Sequence, residues 1–363
     1  MKLQVTQANL SKALNTVARI ANSRGTLPVL ANVLIKTQNN RLSIAATNLD
    51  LAITHFIGSK IQSEGAITVP ARLMQDFISN LPESVINLGV SDNKLSITTD
   101  QYNSVINGIP AEDFPVMPAI KGGSTWKLPV AEFKKALSKT VFAASSDDSR
   151  PVLTGVYFNT YENKVAFAAT DSYRLAECQA GKTSTEIEFL LPASAANDLL
   201  RIINDEDKEV SIIHDNQQVS FEFGDVSLVA RLIEGSYPDY KKLIPSKFTT
   251  IASLKKADFL NIAKVSSLFA RESAGSITIH ARKTDSKISI NAVASQLGEN
   301  TAAADAKVSA DGEVTLNSRY LIEALNAFNS EDIEFCFNGK LEPCVLRSPS
   351  DKDYMHLIMP LRS

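Results

Sequence analysis

Leu10, Leu14, Val17 and Ala21 recur three and four residues apart, which puts an apolar stripe on one face of a helix. The period then changes to two. Val33 to Thr37 and Arg41 to Ala45 alternate apolar and polar positions and read as strands, with the polar Gln38-Asn39-Asn40 as their turn. A second helix is predicted to open at Pro70-Ala71-Arg72, since proline suits a first helical turn. Further strands close the unit. Two helices against antiparallel sheet make this an α+β chain.

The same pattern returns. Lys12-Ala13-Leu14 reappears as Lys135-Ala136-Leu137, Pro28-Val29-Leu30 as Pro151-Val152-Leu153, and Ala45-Ala46-Thr47-Asn48 as Ala168-Ala169-Thr170-Asp171. Phe114-Pro115 reappears as Tyr237-Pro238, and every offset is 123 residues. A fainter third copy carries Lys164-Val165-Ala166-Phe167 onto Lys287-Ile288-Ser289-Ile290. The second helices of the later copies are predicted to open at Pro192-Ala193-Ser194 and Asn317-Ser318-Arg319. Three copies of about 121 residues fill the 363, giving domains 1–121, 122–246 and 247–363. The limits fall near Lys121-Gly122-Gly123-Ser124 and Pro245-Ser246-Lys247.

Charge changes the picture. The net charge is -3, yet each opening helix carries +2: Lys12 and Arg19; Lys134, Lys135 and Lys139 against Glu132; Lys255, Lys256 and Lys264 against Asp258. The second helices balance, with Arg72 against Asp76, Asp198 against Arg201 and Arg319 against Glu323. One lysine-bearing helix is ordinarily a solvated polar face. The same sign on three equivalent helices implies a shared basic surface, which attracts phosphates without reading bases.

Other classes are excluded by what is missing. With 44% hydrophobic and 21% charged residues the chain is neither disordered nor membranous, and no run of about 18 apolar residues occurs. The start, MKLQVTQANL, lacks the long apolar stretch of a secretory signal. Cys178, Cys336 and Cys344 show no paired spacing, and His55, His214, His280 and His356 form no metal motif. These features imply a cytoplasmic protein with neither disulfide framework nor metal site. No phosphate-binding glycine loop or nucleophile elbow is present, so no cofactor is expected. Asp113, Asp171 and Asp239 sit beside turn-prone residues and read as turn or cap carboxylates.

The ordered marks Thr26-Leu27-Pro28-Val29-Leu30, Thr68-Val69-Pro70-Ala71-Arg72, Asp113-Phe114-Pro115, Ala169-Thr170-Asp171-Ser172-Tyr173-Arg174-Leu175-Ala176, Tyr237-Pro238-Asp239-Tyr240 and Met359-Pro360-Leu361-Arg362 carry a resemblance over the full length. By them the chain resembles the bacterial DNA polymerase III β subunits, the sliding clamps. The resemblance implies three clamp-fold domains, a head-to-tail homodimeric ring, and no catalytic residues. It implies a processivity factor that encircles duplex DNA, independent of base sequence, and tethers the replicative polymerase. The clamp loader and repair polymerases would bind through linear peptides, and no membrane is involved.

The DNA-facing residues it implies are Lys12, Arg19, Arg72, Lys134, Lys135, Lys139, Arg201, Lys255, Lys256 and Lys264, with Arg24 and Arg150 on loops. Ile106 and Ile109 would meet Leu268 and Phe269 of the other copy. The implied peptide pocket has Arg150, Leu153, Thr170, Ser172, Tyr173, Arg174 and Leu175 on one wall. Pro238, Lys242, Leu243, Asn317, Tyr320, Met359, Pro360, Leu361 and Arg362 complete it. The leucines and Met359 would form an apolar groove, rimmed by Arg150, Arg174, Lys242 and Arg362. Ser172-Tyr173 stands where the family often has Gly-His, Lys242 where it has arginine, and Pro151-Val152 replaces the tyrosines that often follow the counterpart of Arg150. Two rivals remain at this level: a non-DNA repeat scaffold that binds linear peptides, and an enzyme with a site between repeats.

Overall fold

The computed structural model describes residues 1–21, 27–38, 40–115, 120, 122–296 and 298–362. The first repeat runs β1 (Lys2–Thr6), α1 (Gln7–Val17), β2 (Asn32–Gln38), β3 (Arg41–Thr47), β4 (Leu51–Ile57), β5 (Lys60–Ser63), β6 (Ala66–Pro70), α2 (Ala71–Asn80), β7 (Val85–Ser91), β8 (Lys94–Thr98) and β9 (Asn103–Asn107). The second runs β10 (Ser124–Pro129), α3 (Val130–Thr140), β11 (Gly155–Tyr161), β12 (Lys164–Thr170), β13 (Arg174–Lys182), β14 (Glu188–Pro192), α4 (Ala193–Ile202), β15 (Glu209–His214), β16 (Gln218–Phe223) and β17 (Val226–Arg231). The third runs β18 (Thr250–Lys255), α5 (Lys256–Phe269), β19 (Ser276–Arg282), β20 (Lys287–Ala294), β21 (Gly298–Asp305), β22 (Lys307–Val308), β23 (Gly312–Asn317), α6 (Ser318–Ala327), β24 (Asp332–Phe337), β25 (Cys344–Arg347) and β26 (Tyr354–Ile358). Apart from the short β5 and β22, the order β-α-β-β-β-β-α-β-β-β occurs three times.

The local reasons are those the sequence supplies. Helix α1 buries Leu10, Ala13, Leu14 and Val17, and the Thr6 hydroxyl accepts from Asn9 N at its start. Asn317 caps α6 by accepting from Arg319 N at 2.9 Å. Pro70 and Pro192 end a strand and hand the chain to α2 and α4. The strands alternate inward and outward residues, as β4 does from Leu51 to Ile57.

The chain divides into two compact units. One comprises Met1–Val130 with Arg201–Leu232, the other Ala131–Leu200 with Ile233–Ser363. The first holds a five-stranded sheet, β5-β1-β7-β8-β9, and an eight-stranded sheet, β10-β15-β16-β17-β4-β3-β2-β6. The second holds a nine-stranded sheet, β14-β11-β12-β13-β26-β25-β24-β18-β22, and a four-stranded sheet, β21-β20-β19-β23. Neither division follows a repeat boundary. In each large sheet, strands of one repeat join strands of the next.

The two joints are alike in register. Antiparallel β17 and β4 pair Val226 with His55 through Ala230 with Leu51. Antiparallel β26 and β13 pair Tyr354 with Cys178 through Ile358 with Arg174. The positions on β4 and β13 are related by the offset of 123. An ion pair accompanies each joint: Arg41–Asp225 and Lys164–Asp353, each 2.7 Å, with the two cations 123 residues apart. The counterparts of these joint strands in the outer repeats are β9 and β21. Each is the last strand of its sheet, with no neighbour on its outer side among the described residues.

Candidate peptide groove and nucleic-acid face

The proposed pocket residues all lie in the second unit, around the turn between β12 and β13. Asp171 builds that turn. Its Oδ1 accepts from Tyr173 N at 2.9 Å and Arg174 N at 3.0 Å, and Thr170 Oγ1 accepts from Ser172 N at 3.1 Å. Ser172 adopts φ 78, which glycine would take at lower cost. Arg150 Nη1 donates to Ser172 Oγ at 2.9 Å, tying the loop before β11 to the turn. The result leaves Tyr173 standing out, 58% exposed.

Apolar side chains floor the site. Leu153 and Leu175 are buried in one cluster with Tyr237, Tyr240, Val345 and Leu357, and Met359 packs against it half-buried. Leu243 and Pro238 are exposed beside it. Burial pushes the Tyr237 and Tyr240 hydroxyls far up, so both remain neutral. The C-terminal segment is held by backbone bonds: Met359 N donates to Tyr173 O and Leu361 N to Thr315 O, each 2.8 Å. Asn317 is occupied in capping α6, and Arg362 is exposed.

Arg174 does not rim this groove. It is only 4% exposed and spends its donors inside the protein. Nε donates to Asp171 Oδ2 at 3.0 Å, Nη2 to Phe142 O at 2.7 Å, and Nη1 to Glu323. Its guanidinium carbon lies 4.7 Å from the Tyr320 ring centroid and 5.4 Å from that of Phe142. Burial alone would raise the Glu323 carboxyl, but hydrogen bonds from Arg174 and Arg319 outweigh it and hold it below its ordinary value. Arg174 therefore braces the turn against α6. Phe142 and Glu323, its partners, were missed in the sequence because no local spacing links them to Arg174. Lys242 pairs with Asp239 at 2.9 Å and stays exposed, and the Asp239 side chain makes no capping hydrogen bond to the turn that follows it.

The basic residues divide unequally. In the first unit, Lys12 and Arg19 project from α1 and the turn after it, and with Asn15, Thr16, Arg201 and Ile202 they line one notch. Arg72 is exposed on α2. In the second unit, Lys139 is buried against Asp351, and Lys135 shares the same carboxylate at 3.1 Å. The ammonium of Lys139 is thus turned inward, away from solvent and any external phosphate. Lys255 lies 3.0 Å from Asp332, and Lys256 donates to Phe328 O at 2.8 Å. Arg150 lies 3.9 Å from Asp147, Lys134 is half-buried on α3, and Lys264 is exposed on α5. Arg24 lies outside the described residues.

For the outer strands, Ile106 is buried on β9 and Ile109 exchanges two backbone bonds with Thr68. Leu268 is exposed and Phe269 half-buried on α5, which lies against β20 and β21. Val105, 60% exposed on β9, was not singled out in the sequence. A lone valine on a polar-rich strand gives no signal until the strand is known to be an edge. Among the described residues no group of acids, histidines and cysteines could hold a metal.

Comparison with known proteins gives one consistent result. Models of the DNA polymerase III β subunit match in order: the N-terminal domain over residues 1–118, the central domain over 127–239 and the C-terminal domain over 241–362. A relative from Synechocystis named beta sliding clamp is 31% identical, covering 100% of this chain and 99% of its own. One of the same name from Synechococcus elongatus is 32% identical with the same coverage. The crystal structure of the DNA polymerase sliding clamp from Bacillus subtilis superposes with a TM-score of 0.95 at 26% identity, over 100% of this chain and 99% of that one.

Proposed function

The chain belongs to the bacterial DNA polymerase III β-subunit family, the β sliding clamps, and from that premise we propose how its own residues do the work. It is a DNA sliding clamp, a processivity factor with no catalytic role of its own. The non-DNA scaffold is set aside, since these relatives match the whole chain. We take the domains as 1–121, 122–246 and 247–363.

Ring closure rests on the repeated joint. The strand equivalent to β17 and β26 in the first repeat is β9, because Ile97 pairs with Ser104 as Phe221 with Leu228 and Leu346 with His356. The strand equivalent to β4 and β13 in the third repeat is β21, because Ile290 pairs with Ala302 as Phe167 with Cys178. A third joint of the same register sets Ile106 opposite Gly298 of a second copy, Val105 opposite Glu299 and Asn103 opposite Thr301. Unpaired edges seek partners, and two-fold closure leaves none exposed. Ile109, Leu268 and Phe269 would flank that joint.

The groove floored by Leu153, Leu175 and Met359 is the site we assign to linear peptides of the replicative polymerase, the clamp loader and repair polymerases. Tyr173 and Leu243 stand exposed at its mouth, where an apolar peptide side chain would cover them. DNA would pass the basic helix faces, held by topology rather than by tight contacts. No helix among the described residues is long and apolar enough to cross a membrane. We assign the protein to the cytoplasm, where bacterial replication proceeds.

The test is retention of the purified protein on nicked circular DNA before and after linearisation. A ring is retained on the circle and runs off the cut ends. Equal retention on both forms would refute encirclement.

A further inference from the structure

We propose that the outward face of the sheet β5-β1-β7-β8-β9 is a second docking place, separate from the peptide groove, for a short extended acidic segment of a partner protein. The proposal goes beyond the clamp reading and does not depend on ring closure.

The third repeat shows what covers this face. There Cys336 pairs with Ile251 on one side and Val345 on the other, and Val345 pairs with Leu357, so the four make one row across β18, β24, β25 and β26. The chain after β17 covers that row. Ile233 N donates to Leu190 O at 3.0 Å, and Tyr237, Tyr240, Ile244 and Phe248 share one apolar cluster with the row. The chain after β9 sets out alike, with Ile109 N donating to Thr68 O at 2.9 Å.

In the first repeat the matching row is Lys2, Gly89, Ser96 and Val105, in the same pairing. It borders an open hollow of about 700 Å³. Apart from Met1 and the turn residue Asp92, every residue lining that hollow belongs to the sheet itself. The face that carries extended chain in the third repeat is bare here.

The change of side chains decides the occupant. Isoleucine, cysteine, valine and leucine hold an apolar cover, whereas lysine, glycine, serine and valine suit a polar one. Gly89 and Ser96 keep the floor low, and Val105, 60% exposed, offers one apolar contact. The five strands carry Lys2, Lys60 and Lys94 and no acidic residue, in a chain of net charge -3. Lys2 and Lys94 are exposed at the hollow, so carboxylates are the complementary groups. Four strands about 4.8 Å apart make a row about 14 Å long, the reach of about four extended residues. Pairing at the β9 edge leaves this face open, because ladder bonds lie in the plane of the sheet.

The probe is a short fluorescein-labelled peptide alternating glutamate with valine, and its control carries lysine for glutamate. By fluorescence anisotropy, wild-type protein should bind the acidic form about tenfold or more tightly than the control, as charge-assisted contacts imply. Lys2→Glu/Lys94→Glu should lose that binding. Ser96→Phe keeps both lysines and fills the hollow, and should weaken binding several-fold at an unchanged melting temperature. Protein lacking Met359–Ser363 should bind the acidic peptide as wild type does, and both variants should be retained on nicked circular DNA like wild type.

No preference for the acidic peptide, or full binding in either variant, would overturn the proposal. Binding that disappears with the C-terminal residues would place the peptide in the groove and overturn it too. Loss of DNA retention in Lys2→Glu/Lys94→Glu would assign the face to nucleic acid instead. Failure of the clamp reading is distinguishable, because it would show as wild-type protein retained equally on nicked and linearised circles.

Discussion

Lys139 Nζ stands 2.6 Å from Asp351 Oδ2, and the lysine is 3% exposed. Its ammonium also lies 4.8 Å from the Tyr354 ring centroid. A residue whose type and helix position point outward is thus a buried strut joining α3 to the segment before β26. Burial alone would raise the Asp351 carboxyl, but hydrogen bonds from Lys139 and Lys135 outweigh that and hold it below its ordinary value.

Asp351→Asn leaves the Lys139 charge buried without its counter-ion. Removing one partner of a buried pair costs about 3–5 kcal/mol, so the variant should unfold at clearly lower denaturant. The lowered carboxyl pKa means the pair stabilises the wild type above the unfolded value and is lost as pH falls through the folded one. Acid titration of unfolding should show that loss in the wild type and not in the variant.

His356 is fully buried, stacked on Phe142 with ring centroids 5.6 Å apart, and burial brings its pKa down to about 3. The unfolded ring takes a proton near 6.5, so between 6.5 and about 3 the unfolded state binds the proton more tightly. Stability should therefore fall with falling pH in that window, by up to about 1.4 kcal/mol per unit. His356→Phe should remove this contribution. Identical pH profiles for the two proteins would show that the ring does not stay neutral in the fold.

Val105→Glu would set a carboxylate against Glu299 of the second copy. Like charges directly opposite on paired strands are destabilising, so sedimentation should show the dimer dissociating at tenfold higher concentration or more. Val105→Lys should preserve the dimer. Two variants that dimerise alike would rule out the proposed register.

Removing Met359–Ser363 takes away the half-buried methionine and two backbone bonds, to Tyr173 and Thr315. Binding of a labelled linear peptide from the replicative polymerase should be lost, measured by fluorescence anisotropy. Dimerisation should persist, because β9 and β21 are untouched. Full peptide affinity in the truncated protein would remove this segment from the groove.

The repeat at 123 residues, the strand-turn-strand pairs and the openings of the helices at Pro70, Pro192 and Asn317 were legible in the chain, because each is a local rule of backbone and side chain. The Asp171 turn was legible for the same reason. The pocket residues were reached only through resemblance, since leucines such as Leu153 and Leu175 look like any core. The role of Arg174 was misread. Its partner Glu323 lies 149 residues away, and no period in the sequence joins them.

What the sequence determined by itself was the unit: its two helices, its strands and its threefold recurrence, all set by patterns within a few residues. The tertiary structure decided how units join, since β4 accepts β17 and β13 accepts β26 through backbone groups that every residue carries alike. It also decided which charges remain outside. Asp351 reaches Lys139 across 212 residues, and only the fold brings a counter-ion close enough to bury an ammonium.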